Sequence, residues 1–429
     1  MIAENFALKA ASEFPSFMEL RLRNITHKRR FVFDLEKKIK NFMREKGMRI
    51  AILYGLRGTG KTVGMLQTAA MLRENFFYVR GDELAARGVD LMDLVDALDK
   101  IAREKIGFDK RYVLLIDEVT YIDNWDLKIK VLHDKRPNLM LVLTSSSSLA
   151  LAFPPDIARR SSTVMVPPLT FREYLLLKHR IDIPDKLSKR LFGRIEKGES
   201  PREEFYEVLK LMGRKSAAGI FEDYLHADMP LSLRVSGEEY LEGLKAMIKK
   251  VVYFDFPRYG KVEASVLPKA EQMIFFLSQI PADAVRIDKL AAYLNISKET
   301  VVKLLGMLEK SMVISGLEAH GRRKALRMPK KWVFTSPSIR YALARGLGIE
   351  SDLLGNIRED VVYTHLSTAF SDIHYSHEAD FIIPDKKMAF EVGGKKRERL
   401  LPGFTTYTLT SEEKIEGNRI PLFLFTLAF

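Results

Sequence analysis

Long apolar runs and helical periodicities divide this chain before any chemistry is considered. Ile50-Ala51-Ile52-Leu53-Tyr54 has no polar interruption, which predicts a strand buried on both faces. Val63 to Leu72 follows with a helical pattern. Tyr112-Val113-Leu114-Leu115-Ile116 and Leu139-Met140-Leu141-Val142-Leu143 are two further strands, and Thr163-Val164-Met165-Val166 is another. Strand and helix alternate through this stretch. The fold class expected is therefore α/β, a mostly parallel sheet with helices on both faces and its site at the C-terminal edge of the strands.

Beyond residue 166 the pattern changes. Phe205-Tyr206, Leu209 and Leu211-Met212 mark one helical face, and Tyr240-Leu241, Leu244 and Met247-Ile248 another. Residues 287–294 form a short helix, Ser297 offers an N-cap, and 298–310 form a second helix buried through Val301, Leu304, Leu305 and Leu308. Lys298, Thr300, Lys303 and Lys310 fall on or near its outer face. A strand from Val313-Ile314, a hairpin tip at Arg322-Arg323-Lys324 and a returning strand Lys331-Trp332-Val333-Phe334 complete a winged helix-turn-helix pattern. The expected division is a basic helical segment at 1–48, a sheet core at 49–166, a helical subdomain at 167–264, the winged helix at 265–335 and a small α/β domain at 336–429.

Chemistry enters between the first strand and its helix. Gly55 to Thr62 match the phosphate-binding loop G-x-x-x-x-G-K-[ST]. Gly55, Gly58 and Gly60 let the backbone wrap a phosphate chain, Lys61 neutralises the β- and γ-phosphates, and Thr62 offers its hydroxyl to Mg2+. The helix N-terminus adds its dipole and free amides. With Arg57, Thr59 and Val63 these form the nucleotide-binding set, and ATP with Mg2+ is the expected cofactor pair. The strand ending in Asp117-Glu118 lies 55 residues beyond Thr62. Asp117 is placed to hold Mg2+ and Glu118 to polarise the attacking water. Thr144 or Ser145, where the next strand runs into Ser146-Ser147-Ser148, is a candidate γ-phosphate sensor. Arg159 or Arg160 is a candidate for neutralising transition-state charge, in cis or from a neighbouring subunit. Lys61, Asp117, Glu118, Thr144 and Arg160 are thus the candidate catalytic residues.

Composition narrows the setting. The chain has no cysteine, which excludes disulfides, thiolate zinc sites and cysteine nucleophiles, and its eight histidines show no ligand spacing. No apolar run is long enough to span a membrane and no signal-peptide pattern opens the chain, so a cytoplasmic location with no membrane partner is expected. The net charge of +13 makes polyanions candidate partners. Its distribution matters more: residues 281–331 hold eleven Lys and Arg against five Asp and Glu, a net +6. That clustering on the winged helix points to duplex DNA, with a protein partner or self-association as the alternative.

The motifs in order resemble a known family, the archaeal and bacterial AAA+-like P-loop ATPases that carry a C-terminal PD-(D/E)xK nuclease-like domain. Leu114 to Val119 followed by Tyr121-Ile122 and Trp125 looks like that family's acidic motif. Leu143-Thr144-Ser145-Ser146-Ser147 is similar to its "TGSS" strand end, with Ser145 in place of Gly. Pro168-Leu169-Thr170-Phe171-Arg172-Glu173-Tyr174 looks like its "PLSFREF" signature. The resemblance covers roughly residues 50–175, with weaker similarity beyond. It implies a helical lid over the nucleotide. It also gives the C-terminal acids roles: Glu359 as a helix acid, with Asp380 and Glu391 on adjacent strands, together binding Mg2+ for phosphodiester hydrolysis. Two departures stand out. The family's Gly-Gly-Phe-Pro turn is replaced by Leu225-His226-Ala227-Asp228-Met229-Pro230, and its nuclease lysine by Gly393, with Lys395 or Lys396 as substitutes and Lys395-Lys396-Arg397 as a possible phosphate grip. These readings leave a DNA-associated ATPase, an ATP-dependent nuclease and a protein-binding signalling switch.

Overall fold

The computed structural model describes the chain apart from residues 1, 24, 26, 73–74, 107–110, 146–154, 214, 261, 282–283, 322–329, 346–352 and 394–400. It divides into two compact units, Met1–Val166 and Pro167–Phe429.

The first unit is built on five parallel strands: β1 Ile50–Tyr54, β2 Phe76–Arg80, β3 Tyr112–Asp117, β4 Leu139–Thr144 and β5 Ser161–Met165. Their order is β2-β3-β4-β1-β5. Alternation along each strand explains the uninterrupted apolar runs. Ile50, Ile52, Leu114, Ile116, Leu141 and Leu143 face one layer with Leu94, Leu98, Ile129 and Leu132. Ala51, Leu53, Val113, Leu115 and Val142 face the other with Leu35, Ile39, Met65 and Leu66. The central strands β3 and β4 are therefore buried throughout, with helices on both faces. The helix Lys61–Leu72 packs so closely on Arg30–Met43 that a Cβ on Gly64 would sit 2.2 Å from the Phe31 ring.

Residues 1–48, expected as a separate basic segment, are part of this unit. The helix Ile2–Leu22 contributes Ala7 to one core layer and Phe14 to the other. It lies against β2, the edge strand, where Phe14 and Phe17 stack on Tyr78. Covering an edge strand this way blocks pairing with another chain.

The second unit holds an eight-stranded mixed sheet. Its strands are β6 Ala284–Val285, β7 Ile314–Ala319, β8 Lys330–Phe334, β9 His374–Tyr375, β10 Phe381–Ile383, β11 Met388–Val392, β12 Thr405–Thr410 and β13 Arg419–Pro421, in the order β13-β12-β11-β10-β9-β7-β8-β6. The helices Ile287–Leu294 and Lys298–Lys310 precede the antiparallel pair β7/β8, and β6 adds to β8. Ser297 caps the second helix by accepting from Thr300 N at 3.1 Å, and Asn295 turns the chain at φ +52°. The expected hairpin tip, Arg322-Arg323-Lys324, lies outside the described residues.

Two expected boundaries do not appear as breaks. The sheet runs through residue 335, because β7 pairs in parallel with β9 of the C-terminal segment. The helices at 167–225 are not a separate lid subdomain: Phe171, Leu191, Val208 and Phe221 share one core with Val361, Phe390, Tyr407 and Phe425. Hydrogen bonds fasten the same seam, from Phe171 N to His365 Nε2 at 3.0 Å and from the Tyr407 hydroxyl to Ile195 O at 3.0 Å. Non-local pairing and burial decide these boundaries, and local composition does not record them.

Candidate nucleotide-binding site

The loop joining β1 to the helix Lys61–Leu72 has the backbone that its glycines foretell. Gly55, Gly58 and Gly60 adopt φ of +154°, +82° and +89°. At Gly55 a side chain is excluded outright, since a Cβ would stand 2.2 Å from the Val166 carbonyl oxygen. Thr59 is fully buried, and its hydroxyl donates to Leu56 O at 2.9 Å, tightening the turn. Lys61 is buried, with Nζ donating to the carbonyls of Gly55 and Leu56 at 2.9 Å each. Its ammonium is thus held by loop oxygens, at the mouth of a helix whose first amides lack helical partners. Arg57 and Val63 sit on the loop and the first helical turn, both part-exposed.

Asp117 is the centre of the acid end. Thr62 Oγ1 donates to its Oδ2 at 2.9 Å and reaches Oδ1 at 3.1 Å. The Tyr78 hydroxyl donates to Oδ2 at 3.1 Å, and the Thr144 hydroxyl donates to Oδ1. A hydroxyl and a carboxylate at this spacing fit the pair that holds Mg2+ beside a nucleotide, so the donor set suits the expected ion. Among the described residues no group of three or more His, Asp or Glu side chains could hold a metal ion.

Glu118 follows in the left-handed region, φ +56° and ψ +44°. Its amide donates to Thr144 Oγ1 at 3.4 Å. Gly81 makes room for this bend, because a Cβ there would lie 2.3 Å from Glu118 O. A non-glycine residue held in this conformation at a strand end is a feature that active sites accumulate. Thr144 therefore touches both acids. Ser145 instead pairs with Thr120 through their hydroxyls at 3.0 Å, and Ser146 to Ser148 lie outside the described residues.

Arg160 is not brought to this site. It immediately precedes β5, whose Ser161 is in register with Ile50 at the start of β1, so it lies at the N-terminal edge of the sheet. The phosphate loop leaves the opposite edge, about 17 Å away across a five-residue strand. Arg160 instead contacts Asp134 at 3.5 Å and donates to Asp156 O at 3.0 Å. Arg159 pairs with Asp156 at 2.6 Å and is exposed. A cis catalytic role for Arg160 is corrected on this geometry.

The C-terminal acids form a different arrangement from the one expected. Glu359 and Asp380 do meet, but around Lys331 of β8, whose Nζ lies 2.7 Å from Glu359 Oε2 and 3.1 Å from Asp380 Oδ1. Asp380 also accepts from Val392 N at 2.8 Å. Lys331 is only 5% exposed at the side chain, and the two carboxylates hold its ammonium protonated against burial. Burial, with the Asp380 charge, pushes Glu359 up to about 7 despite Lys331. Glu391 lies on β11 and does not complete a three-acid metal group with these two. The expected Glu359–Asp380–Glu391 metal site is therefore replaced by an ion-pair cluster. Asp360, beside Glu359, is spent similarly on the fully buried Arg340 at 2.5 Å. Lys395, Lys396 and Arg397 lie outside the described residues.

On the helix Lys298–Lys310, Lys298, Lys303 and Lys310 are exposed, and Thr300 is partly so. Lys331, counted among the eleven bases of this region, is turned inward, while Arg322, Arg323, Lys324 and Arg327 lie outside the described residues. Two residues with a place at the site carry no sequence motif, Tyr78 and Arg29, and Lys331 reads in the sequence only as a basic strand residue. Arg29 is buried, and its guanidinium donates to Thr59 O at 2.6 Å. The unread signal for Tyr78 was the apolar run Phe76-Phe77-Tyr78-Val79, a strand in its own right.

Residues 47–175 match a family model described as the AAA domain. Over 413 residues the chain is 29% identical to an uncharacterized protein of Methanocaldococcus jannaschii, covering 91% of this chain and 84% of that one. A second uncharacterized protein of the same organism is 24% identical over 197 residues, covering 46% and 41%. Among solved structures, the Aeropyrum pernix ORC1 protein in complex with DNA aligns over 79% of this chain and 98% of its own, at 15% identity and a TM-score of 0.29. The Thermotoga maritima RuvB Holliday junction branch migration motor aligns over 66% and 87%, at 16% identity and a TM-score of 0.29. Those two superpositions are too loose to bear on the site. Residues 47–175 thus match the AAA-domain model, and the loop within them has the backbone of a phosphate-binding loop.

Proposed function

We propose that this protein is a Mg2+-dependent ATPase of the AAA+-like class whose second unit engages duplex DNA. The observation that carries the ATPase reading is the convergence of the Thr62 and Thr144 hydroxyls on Asp117 at the C-terminal edge of the sheet, with Thr144 also accepting from the Glu118 amide. Thr62 and Asp117 hold the ion, which when bound neutralises phosphate charge. Lys61 exchanges loop carbonyls for phosphate oxygens, an ammonium-to-anion contact stronger than the neutral one it leaves. Glu118 orients the attacking water and takes its proton, and Thr144 fixes the backbone from which Glu118 projects.

DNA association rests on the helix-turn-helix with its following hairpin, read as a winged helix, and on exposed Lys298, Lys303 and Lys310. Backbone-phosphate contacts of this kind weaken steeply with salt. The test is duplex binding by fluorescence anisotropy across a salt series, with ATP turnover followed in parallel. The expected result is salt-sensitive binding, weakened in Lys298→Ala/Lys303→Ala. Turnover with no duplex binding at low salt would leave the ATPase and remove DNA, favouring a protein-binding switch. The nuclease reading is disfavoured within this proposal, because Lys331 already neutralises the acids that cleavage needs.

A further inference from the structure

We propose that Tyr78 is a positioning residue for Asp117, and that the helix Ile2–Leu22 holds Tyr78 in place, so that docking of that helix sets how well the site takes a divalent cation with its nucleotide. This inference rests on the nucleotide reading above.

Asp117 receives hydroxyls on both oxygens. Thr62 reaches both, Thr144 donates to Oδ1 and Tyr78 donates to Oδ2 at 3.1 Å. Thr62 is the hydroxyl expected to turn to an ion. Tyr78 and Thr144 then remain as donors that fix the carboxylate plane, one on each oxygen. Tyr78 does not touch the reacting atoms, and its role is to aim the carboxylate that does.

What aims Tyr78 is unusual for a strand residue beside a phosphate site. It sits on the edge strand β2, with Tyr78 in register with Leu115 and Arg80 with Asp117. Its ring is buried beneath two aromatic side chains of the N-terminal helix. Phe17 stacks at 5.0 Å between centroids and 22°, and Phe14 at 5.7 Å and 16°. Stacked pairs of this geometry contribute beyond simple burial. Glu4 pairs with Lys100 of the helix Leu91–Ile106 at 3.3 Å near one end, and Phe17, Met18 and Leu22 pack on the core near the other. The chain of contacts runs from helix to ring to hydroxyl to carboxylate with no gap.

The experiment uses the full chain and a fluorescent ATP analogue. Binding is measured in EDTA and across a Mg2+ titration for wild type, Tyr78→Phe and Phe14→Ala/Phe17→Ala. Tyr78→Phe keeps the ring and its stack but removes one donor to a charged group. It is expected to leave EDTA binding within about twofold of wild type and to raise the half-saturating Mg2+ roughly three- to tenfold. The double alanine variant is expected to shift Mg2+ dependence in the same direction, and adding Tyr78→Phe to it should shift it little further. Unchanged Mg2+ dependence in Tyr78→Phe overturns the inference, as does an equal loss of binding in EDTA and Mg2+. If the double variant fails to fold, Tyr78→Phe alone decides. Wild type that binds no analogue under either condition overturns the nucleotide reading itself.

Discussion

Two acidic clusters, one in each unit, use their carboxylates in opposite ways. At Asp117 the charge is met by hydroxyls from Thr62, Thr144 and Tyr78, which carry no compensating charge. At Glu359 and Asp380 it is met by a buried ammonium, that of Lys331. The first arrangement leaves negative charge for a cation arriving with a nucleotide. The second is already occupied from within the fold by an ammonium, on a strand that also belongs to the hairpin β7/β8. Similar residues thus read as a working site in one place and as a fastening in the other, and the difference lies in which partner the topology delivers.

The largest expected effect tests that contrast through stability. Removing one partner of a buried ion pair leaves an uncompensated charge. Lys331→Met should cost about 3 kcal/mol or more in urea unfolding, and Glu359→Gln on top of it should restore part of the loss. Thr62→Ala should cost less than about 1 kcal/mol while impairing nucleotide-supported Mg2+ binding. Equal stability of Lys331→Met and wild type would break the comparison.

A second effect is a pH dependence confined to the second unit. Burial pushes Asp228 up to about 7, against hydrogen bonds from Ser336 and Ser338. That value lies above the usual carboxylate range, so the folded state holds this proton where the unfolded chain releases it. The contribution is fully present below pH ~4 and is lost as pH rises through ~7. His365 of the same unit, its pKa lowered by burial, contributes in the opposite sense, so the test is the difference from Asp228→Asn: the thermal midpoint of the wild-type second unit should fall relative to that variant between pH 5 and 8. A difference that does not change with pH would remove Asp228 from the account.

The smallest effect is at Arg160. Its contacts with Asp134 and Asp156 are solvent-screened ion pairs that contribute little. Turnover by dilute Arg160→Ala should stay within about twofold of wild type. A larger fall would place this arginine at a site contributed by another copy.

The comparison also explains what was legible beforehand. Strands β1, β3 and β4 could be read because each is buried on both faces, and that burial writes itself as an unbroken apolar run. The phosphate loop was legible because its constraints are local: glycines at positive φ and a lysine at a helix start. The fastening of Glu359 was not, because Lys331 comes from another strand, 49 residues before Asp380. Arg160 was misplaced for a related reason: periodicity finds a strand but does not say which end faces the loop. Tyr78 was missed because its importance lies in two rings some 60 residues earlier in the chain, Phe14 and Phe17.

The central claim is that the β1 loop and the β3 acids form a working ATPase site. The most direct test measures nucleotide binding and ATP turnover together for wild type, Lys61→Ala and Glu118→Gln. The account predicts that Glu118→Gln binds ATP as wild type does while its turnover falls roughly 100-fold, the range typical of a lost general base, and that Lys61→Ala loses turnover altogether. Turnover by Glu118→Gln within a few-fold of wild type, or undiminished turnover by Lys61→Ala, would contradict it.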